Sequence, residues 1–191
     1  VDSSSTGDGY AVILEDATDN AFDGGPFVLS EAPISVANPS FKVTLSATAS
    51  ASHNTYTKIP FDRPMVNVGG YYDNTTNYRF QPEIAGYYQL NLSVMEYSNL
   101  DVYDYILEIR LNGNSISTGR NRQIMPGVTN EDIYASVVTV ADIIHLNGTT
   151  DYVEGYWRAT SEEGSGTMVV FGAISGSNNC YFSGTLLQRT S

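Results

Sequence analysis

The sequence predicts an all-β protein, an antiparallel two-sheet jelly-roll sandwich behind a short N-terminal arm, and three observations carry that expectation. Several segments alternate apolar and polar residues with the period of two that a strand with one wet face requires. Asn-Gly pairs at 112–113 and 147–148 supply the positive-φ residues of two-residue hairpin turns. The composition of the 191 residues, with 41% hydrophobic, 17 Gly, 14 Tyr and only 16% charged, suits strands and turns, and no segment shows a helical period.

Along the chain, residues 1–40 stand apart as an arm or linker. They are rich in Ser, Asp, Gly and Ala, and they carry Asp8, Glu15, Asp16, Asp19, Asp23 and Glu31 without a Lys or Arg. Only 10–15 (YAVILE) has strand character, and such a run must pair with a neighbouring chain or pack on the domain, because a lone strand is not stable in water. Because the chain starts at Val1 without a basic, apolar leader, we expect a processed product or an excised fragment. Residues 41–191 then form one domain of sandwich size. Core strands are expected at 86–95, where Tyr88, Leu90, Leu92 and Val94 alternate with Gln89, Asn91 and Ser93, at 103–112 and at 181–188. Asn112-Gly113 closes one hairpin, and Asn147-Gly148, between 134–146 and 151–157, is expected to close a second. Two segments, 136–144 (SVVTVADII) and 167–174 (TMVVFGAI), are apolar on both faces. Such a strand must be covered twice, once by its own core and once by something else, most simply another copy of the chain.

Charge and motifs exclude several functions. The net charge of −12 repels phosphate backbones and anionic bilayers, so no nucleic-acid partner is expected. The apolar runs are too short for a helix to cross a bilayer, so no membrane insertion is expected. Cys180 is the single cysteine, which precludes an intrachain disulfide or a thiolate metal site and reads as a small buried hydrophobe. There is no nucleophile elbow and no phosphate loop, and the two histidines, His53 and His145, lack the context of a catalytic base. Carboxylates for glycoside hydrolysis exist at Asp101, Asp104, Glu108, Glu154, Glu162 and Glu163, but residues on solvated strands supply these by default. No catalytic residue and no cofactor is expected. Calcium is the one metal the oxygen ligands suit, yet 19–25 (DNAFDGG) places Ala21 at the middle ligand position of a calcium loop, so its ligands stay unknown. Of the sequons at Asn74, Asn91 and Asn147, the second sits on an expected strand and the third in a tight turn, where glycans fit poorly. The candidate contact surface is a set of loop tyrosines and carboxylates, Tyr71, Tyr72, Tyr97, Asp101, Tyr103 and Asp104, whose amphipathic rings beside acids suit sugar or protein contact.

The order of particular residues adds a family likeness. Phe41, then Phe61-Asp62, Asn67, Tyr72-Asp73, Phe80, Gly86 with Tyr88, and the closing FSGTLL (182–187) resemble in order and spacing the C1q/TNF-like jelly-roll domains over about residues 41 to 188. The resemblance implies a homotrimer that packs the sheet containing the first and last strands around a threefold axis, and a protein that is not an enzyme. Some members hold calcium at the trimer top, with no residue-level motif to transfer here. No Gly-X-Y repeat precedes the domain, which departs from collagen-linked members. The segment GYAVILEDATDNAFDGG loosely resembles connecting segments of phage structural proteins. The expectation is therefore the head of a virion fibre or appendage that attaches to a host-surface glycan or protein, or to other virion proteins, located at the virion surface or extracellularly. The alternatives are a secreted C1q-like lectin or signalling ligand, and a carbohydrate-active enzyme on a jelly-roll scaffold.

Overall fold

The computed structural model describes residues 38–98, 102–122, 134–161, 167–170 and 180–190. The chain divides into two units, 1–34 and 35–191, and every described residue lies in the second. The strand expected at 10–15 and the loop at 19–25 lie outside the described residues. Among the described residues the regular structure is thirteen strands and no helix, and hence no helix able to cross a membrane.

Two antiparallel sheets share these strands. Sheet A contains β1 (Ser40–Thr44), β4 (Arg63–Val68), β7 (Gly86–Ser98), β10 (Tyr134–Leu146) and β13 (Tyr181–Arg189), with the short β2 (Ala49–Ser52) and β12 (Thr167–Val170). Its order is β2-β12-β7-β13-β1-β4, with β10 also paired to β7 along its whole length. Sheet B runs β5 (Tyr72–Asp73), β6 (Arg79–Phe80), β11 (Val153–Ser161), β8 (Val102–Leu111) and β9 (Asn114–Arg122), with β3 (Thr57–Lys58) also on β11. The expected all-β two-sheet jelly roll is the fold observed, and the three expected core strands are β7, β8 and β13.

The core lies between the inner faces and follows from the alternation. Tyr88, Leu90, Leu92 and Val94 of β7 are buried, as are Tyr105, Leu107 and Ile109 of β8, Val153, Trp157 and Ala159 of β11, and Phe182 and Leu186 of β13. Cys180 is buried as expected. Its sulfur accepts the Met95 N–H at 3.1 Å, and burial pushes its thiol up to about 11.

The family-like residues turn out to be the framework of this core. Phe41 stacks on Phe80 at 4.4 Å and on Tyr72 at 5.1 Å, and meets Phe182 edge-on at 4.9 Å. Asn67 clamps Tyr72 by accepting its N–H and donating to its carbonyl, both at 3.1 Å. Asp62 accepts the Ser46 N–H at 2.7 Å. Gly184 leaves room for the packed rings, since a Cβ there would stand 2.6 Å from both Leu90 and Phe41. Residues that hold two sheets together report the fold and are silent about a ligand.

One expected turn is corrected. Asn112 and Gly113, with φ of 52° and 81°, do close the β8–β9 hairpin, both residues in the left-handed region that such a turn demands. The segment after Asn147-Gly148 closes no hairpin: β10 pairs with β7 in sheet A and β11 with β8 in sheet B, so 147–152 crosses between the sheets. Here only Gly148 has positive φ, at 70°, and a Cβ on it would run into the backbone of Ile84 and Ala85. The Asn147 side chain instead caps the loop by accepting the N–H groups of Thr149, Thr150 and Asp151 at 2.9 to 3.0 Å. That is the local bonding by which an asparagine nucleates a turn without a hairpin.

Candidate interaction surfaces

Of the six residues singled out as a contact surface, Tyr71, Tyr72 and Asp104 have described side chains, and these three do not form an exposed surface together. Tyr72 is 2% exposed, inside the aromatic cluster on Phe41, and burial pushes its phenol well up. This corrects its reading as a surface residue: the β5 alternation turns its ring inward, where an aromatic side chain contributes most by burial. Tyr71 is half-buried with its ring over Gly69, and its carbonyl accepts the Gln81 N–H at 2.9 Å. Asn74 donates its side-chain amide to the Asp62 carbonyl at 3.0 Å, so this sequon nitrogen is engaged within the fold, as is that of Asn147. Asp104 is 5% exposed, a second correction: its carboxylate accepts Arg120 Nη2 at 3.0 Å and Arg158 Nη2 at 3.2 Å. A buried carboxylate survives only when paired in this way. Tyr97 and Tyr103 lie on β7 and β8, but their side chains, like Asp101 as a whole, lie outside the described residues.

The candidate carboxylates for glycoside chemistry are likewise committed where they are described. Glu108 accepts Arg110 Nη2 at 2.7 Å, Glu154 pairs with Lys58, and Asp104 pairs as above. Glu162 and Glu163 lie outside the described residues. His145 is exposed, 3.0 Å from the Thr190 hydroxyl and edge-on to Tyr87.

What the molecule does present is two contrasting outer sheet faces. On sheet A the register places Tyr87 beside His145, Gln89 beside Ile143, Asn91 beside Ala141 and Met95 beside Val137. Ile143 is 58% exposed and Val137 53%, so β10 does carry the uncovered second apolar face expected from its sequence, while Val138, Val140 and Ile144 fill the core. Leu187, Tyr87 and Val66 are also exposed. At the middle of this face a shallow depression of about 320 Å³ lies between Lys42, Gln89, Asn91 and Ser183, and Lys42 sits 5.0 Å above the Tyr181 ring. The side chains of β12, the other segment expected to be apolar on both faces, lie outside the described residues.

The outer face of sheet B is a lattice of ions and rings that the sequence reading did not pick out. Antiparallel register sets Asp104 opposite Thr160, Ile106 opposite Arg158, Glu108 opposite Tyr156 and Arg110 opposite Glu154. Across β9, Arg120 stands opposite Ile106 and Thr118 opposite Glu108. The Arg110 guanidinium lies 4.1 Å from the Tyr156 ring and 4.9 Å from that of Tyr56, and Arg158 lies 5.1 Å from Tyr56. Burial and then the nearby Glu108 carboxylate push the Tyr56 phenol up. The signal was present as the charged alternate positions of β8 and β11, but only pairing brings those positions together.

No family model matches the sequence, and no curated protein matches it. Solved structures do. The globular domain of the zebrafish complement 1qA protein superimposes with a TM-score of 0.51 and 14% identity, covering 80% of this chain and 99% of that one. The Eiger TNF structure from S. frugiperda gives 0.57 and 10%, covering 81% and 95%. Murine APRIL gives 0.52 and 13%, covering 78% and 99%. The described domain therefore has the C1q/TNF-like jelly-roll fold.

Proposed function

We propose that this domain is a non-enzymatic binding module that assembles as a homotrimer through the outer face of sheet A and acts by presenting its surfaces around the axis. The observation that carries the reading is the uncovered apolar set on that face, Val137 and Ile143 with Tyr87, Leu187 and Val66. Covering it removes apolar area from water at roughly 25 cal/mol per Å², and a specific interface needs on the order of 1,000 Å² or more. The likeness of fold to complement and TNF domains supports the same use of the sheet. Threefold presentation lets weak contacts add through effective concentration, so a module needs no deep pocket to hold a partner surface.

The setting we propose is the head of a virion fibre or appendage that attaches to a host surface, a reading supported by the acidic, Gly- and Asp-rich lead-in. A second reading, a secreted lectin or signalling ligand, is favoured by the complement and TNF likeness. Light scattering of the purified protein at micromolar concentration should report a trimer, and Ile143→Asp should convert it to a monomer; a monomeric wild type would overturn the assembly. Turnover of a glycan or ester by the purified trimer would overturn the binding reading and promote an enzyme.

A further inference from the structure

The cations of this acidic chain are unevenly placed. Five of its nine Lys and Arg residues, Lys58, Arg110, Arg120, Arg122 and Arg158, stand on the outer face of the part of sheet B formed by β3, β11, β8 and β9. The described carboxylates of that area are three, Asp104, Glu108 and Glu154, so its described residues carry a local +2 within a chain of net −12. Depth sharpens the contrast. The three carboxylates are 4 to 6% exposed, whereas the side chains of Arg120 and Lys58 are 55% and 31% exposed, and Arg158 22%. Acids form the floor, and guanidinium groups and the Tyr56 and Tyr156 rings form the layer a partner would meet.

We propose that this face is a docking surface for a short acidic segment of a protein partner. The cationic side chains are already held by Asp104, Glu108 and the tyrosine rings, so binding need not order them afresh. Arg and Tyr are the side chains that most often anchor protein interfaces. Arg158 gives Asp104 a single Nη, and Arg110 spends Nε and one Nη on Glu108, so each keeps a further Nη to offer an incoming carboxylate. An extended polyanion fits less well, because Asp104, Glu108 and Glu154 lie directly beneath the cations and the area of net positive charge is small, and charges within about a Debye length of 8–10 Å feel each other. The surface lies on the sheet opposite the proposed self-association face, so a short segment binds one copy whether or not the chain assembles.

The experiment titrates the intact protein with a labelled peptide of alternating glutamate and tyrosine, reading anisotropy for affinity and backbone amide NMR shifts for place, with heparin as a second probe. Expected are salt-sensitive peptide binding, shifts concentrated on β8, β9 and β11, and about a tenfold loss of affinity in Arg120→Glu and in the exposed Arg122→Glu, with Ile143→Asp unchanged. Circular dichroism confirms that each variant is folded. Absent peptide binding, shifts that fall on sheet A, unchanged affinity in both arginine variants, or heparin binding in place of peptide binding would each overturn the proposal. Light scattering of the same samples reads the trimer separately, so the two readings fail independently.

Discussion

Sheet A and sheet B bury similar apolar inner faces against each other, yet their outer faces differ in kind. On sheet A, Val137, Ile143, Tyr87 and Leu187 stand exposed among neutral polar side chains, with Lys42 as the cation over Tyr181. On sheet B, alternate positions of β8 and β11 carry acids that the long Arg, Lys and Tyr side chains cover, so that even the outward-facing Ile106 is 8% exposed. The first face leaves apolar surface for a second molecule to cover. The second satisfies its acids within one chain, because long cationic stems lie across apolar surface while their heads find carboxylates. Identical strand geometry thus yields one face that leaves apolar side chains in water and one whose acids are covered by its own cations.

The largest expected effect tests the first face. Ile143→Asp would bury an unpaired carboxylate in an assembled sheet A interface, which costs several kcal/mol, so light scattering should show loss of the trimer, while circular dichroism of the monomer keeps its strand signal. Arg120→Gln on sheet B should leave the mass unchanged.

Next comes the floor of the second face. Asp104→Ala strips Arg120 and Arg158 of a shared acceptor, and because both guanidinium groups can still reach water the loss should be about 1–3 kcal/mol by urea denaturation. Gln89→Ala, an exposed polar position on sheet A of the single chain, should stay within about 0.5 kcal/mol when both are read in the Ile143→Asp background. Equal losses from the two would erase the contrast between the faces.

A smaller effect is expected from the exposed partner of the same pair. Arg120→Gln should cost less than about 1 kcal/mol, since its side chain is more than half exposed, Arg158 still holds Asp104, and exposed ion pairs contribute little. A loss as large as that of Asp104→Ala would mean that the cations and not the acids organise the lattice.

The smallest lies at the β5–β6 turn, at the edge of sheet B. The Asp73 carboxyl is held well below the usual carboxylate range by N–H bonds from Thr76 and Thr75, each at 3.0 Å, and by the Asn77 amide. A depressed folded value stabilises above the unfolded pKa of about 4 and is lost as pH falls below it. The advantage of wild type over Asp73→Asn should therefore hold at neutral pH and shrink below about pH 4. An advantage independent of pH down to that range would mean that the turn rests on shape alone.

Much of the fold was legible because it is written locally. The alternation of β7 and β8 declared which side chains face the core, Asn112-Gly113 declared its turn, and Cys180 took the buried place its neighbours Tyr181 and Phe182 implied. The same local logic misled at Asn147-Gly148, where the turn residues are right and the partner strands belong to different sheets. It misled again at Tyr72 and Asp104: a tyrosine beside an acid looks amphipathic in one dimension, while burial depends on what a distant strand supplies, Phe41 in one case and Arg120 and Arg158 in the other.

By itself the sequence determined the strand class, the inner faces and a strand, β10, with apolar residues to spare, since a period of two and the turn chemistry act over a few neighbouring residues. Only the tertiary structure decided that five cations gather on sheet B over three carboxylates. Those residues come from β3, β8, β9 and β11, and register between strands, set by the packing of the opposite face, is what brings them within reach of one another.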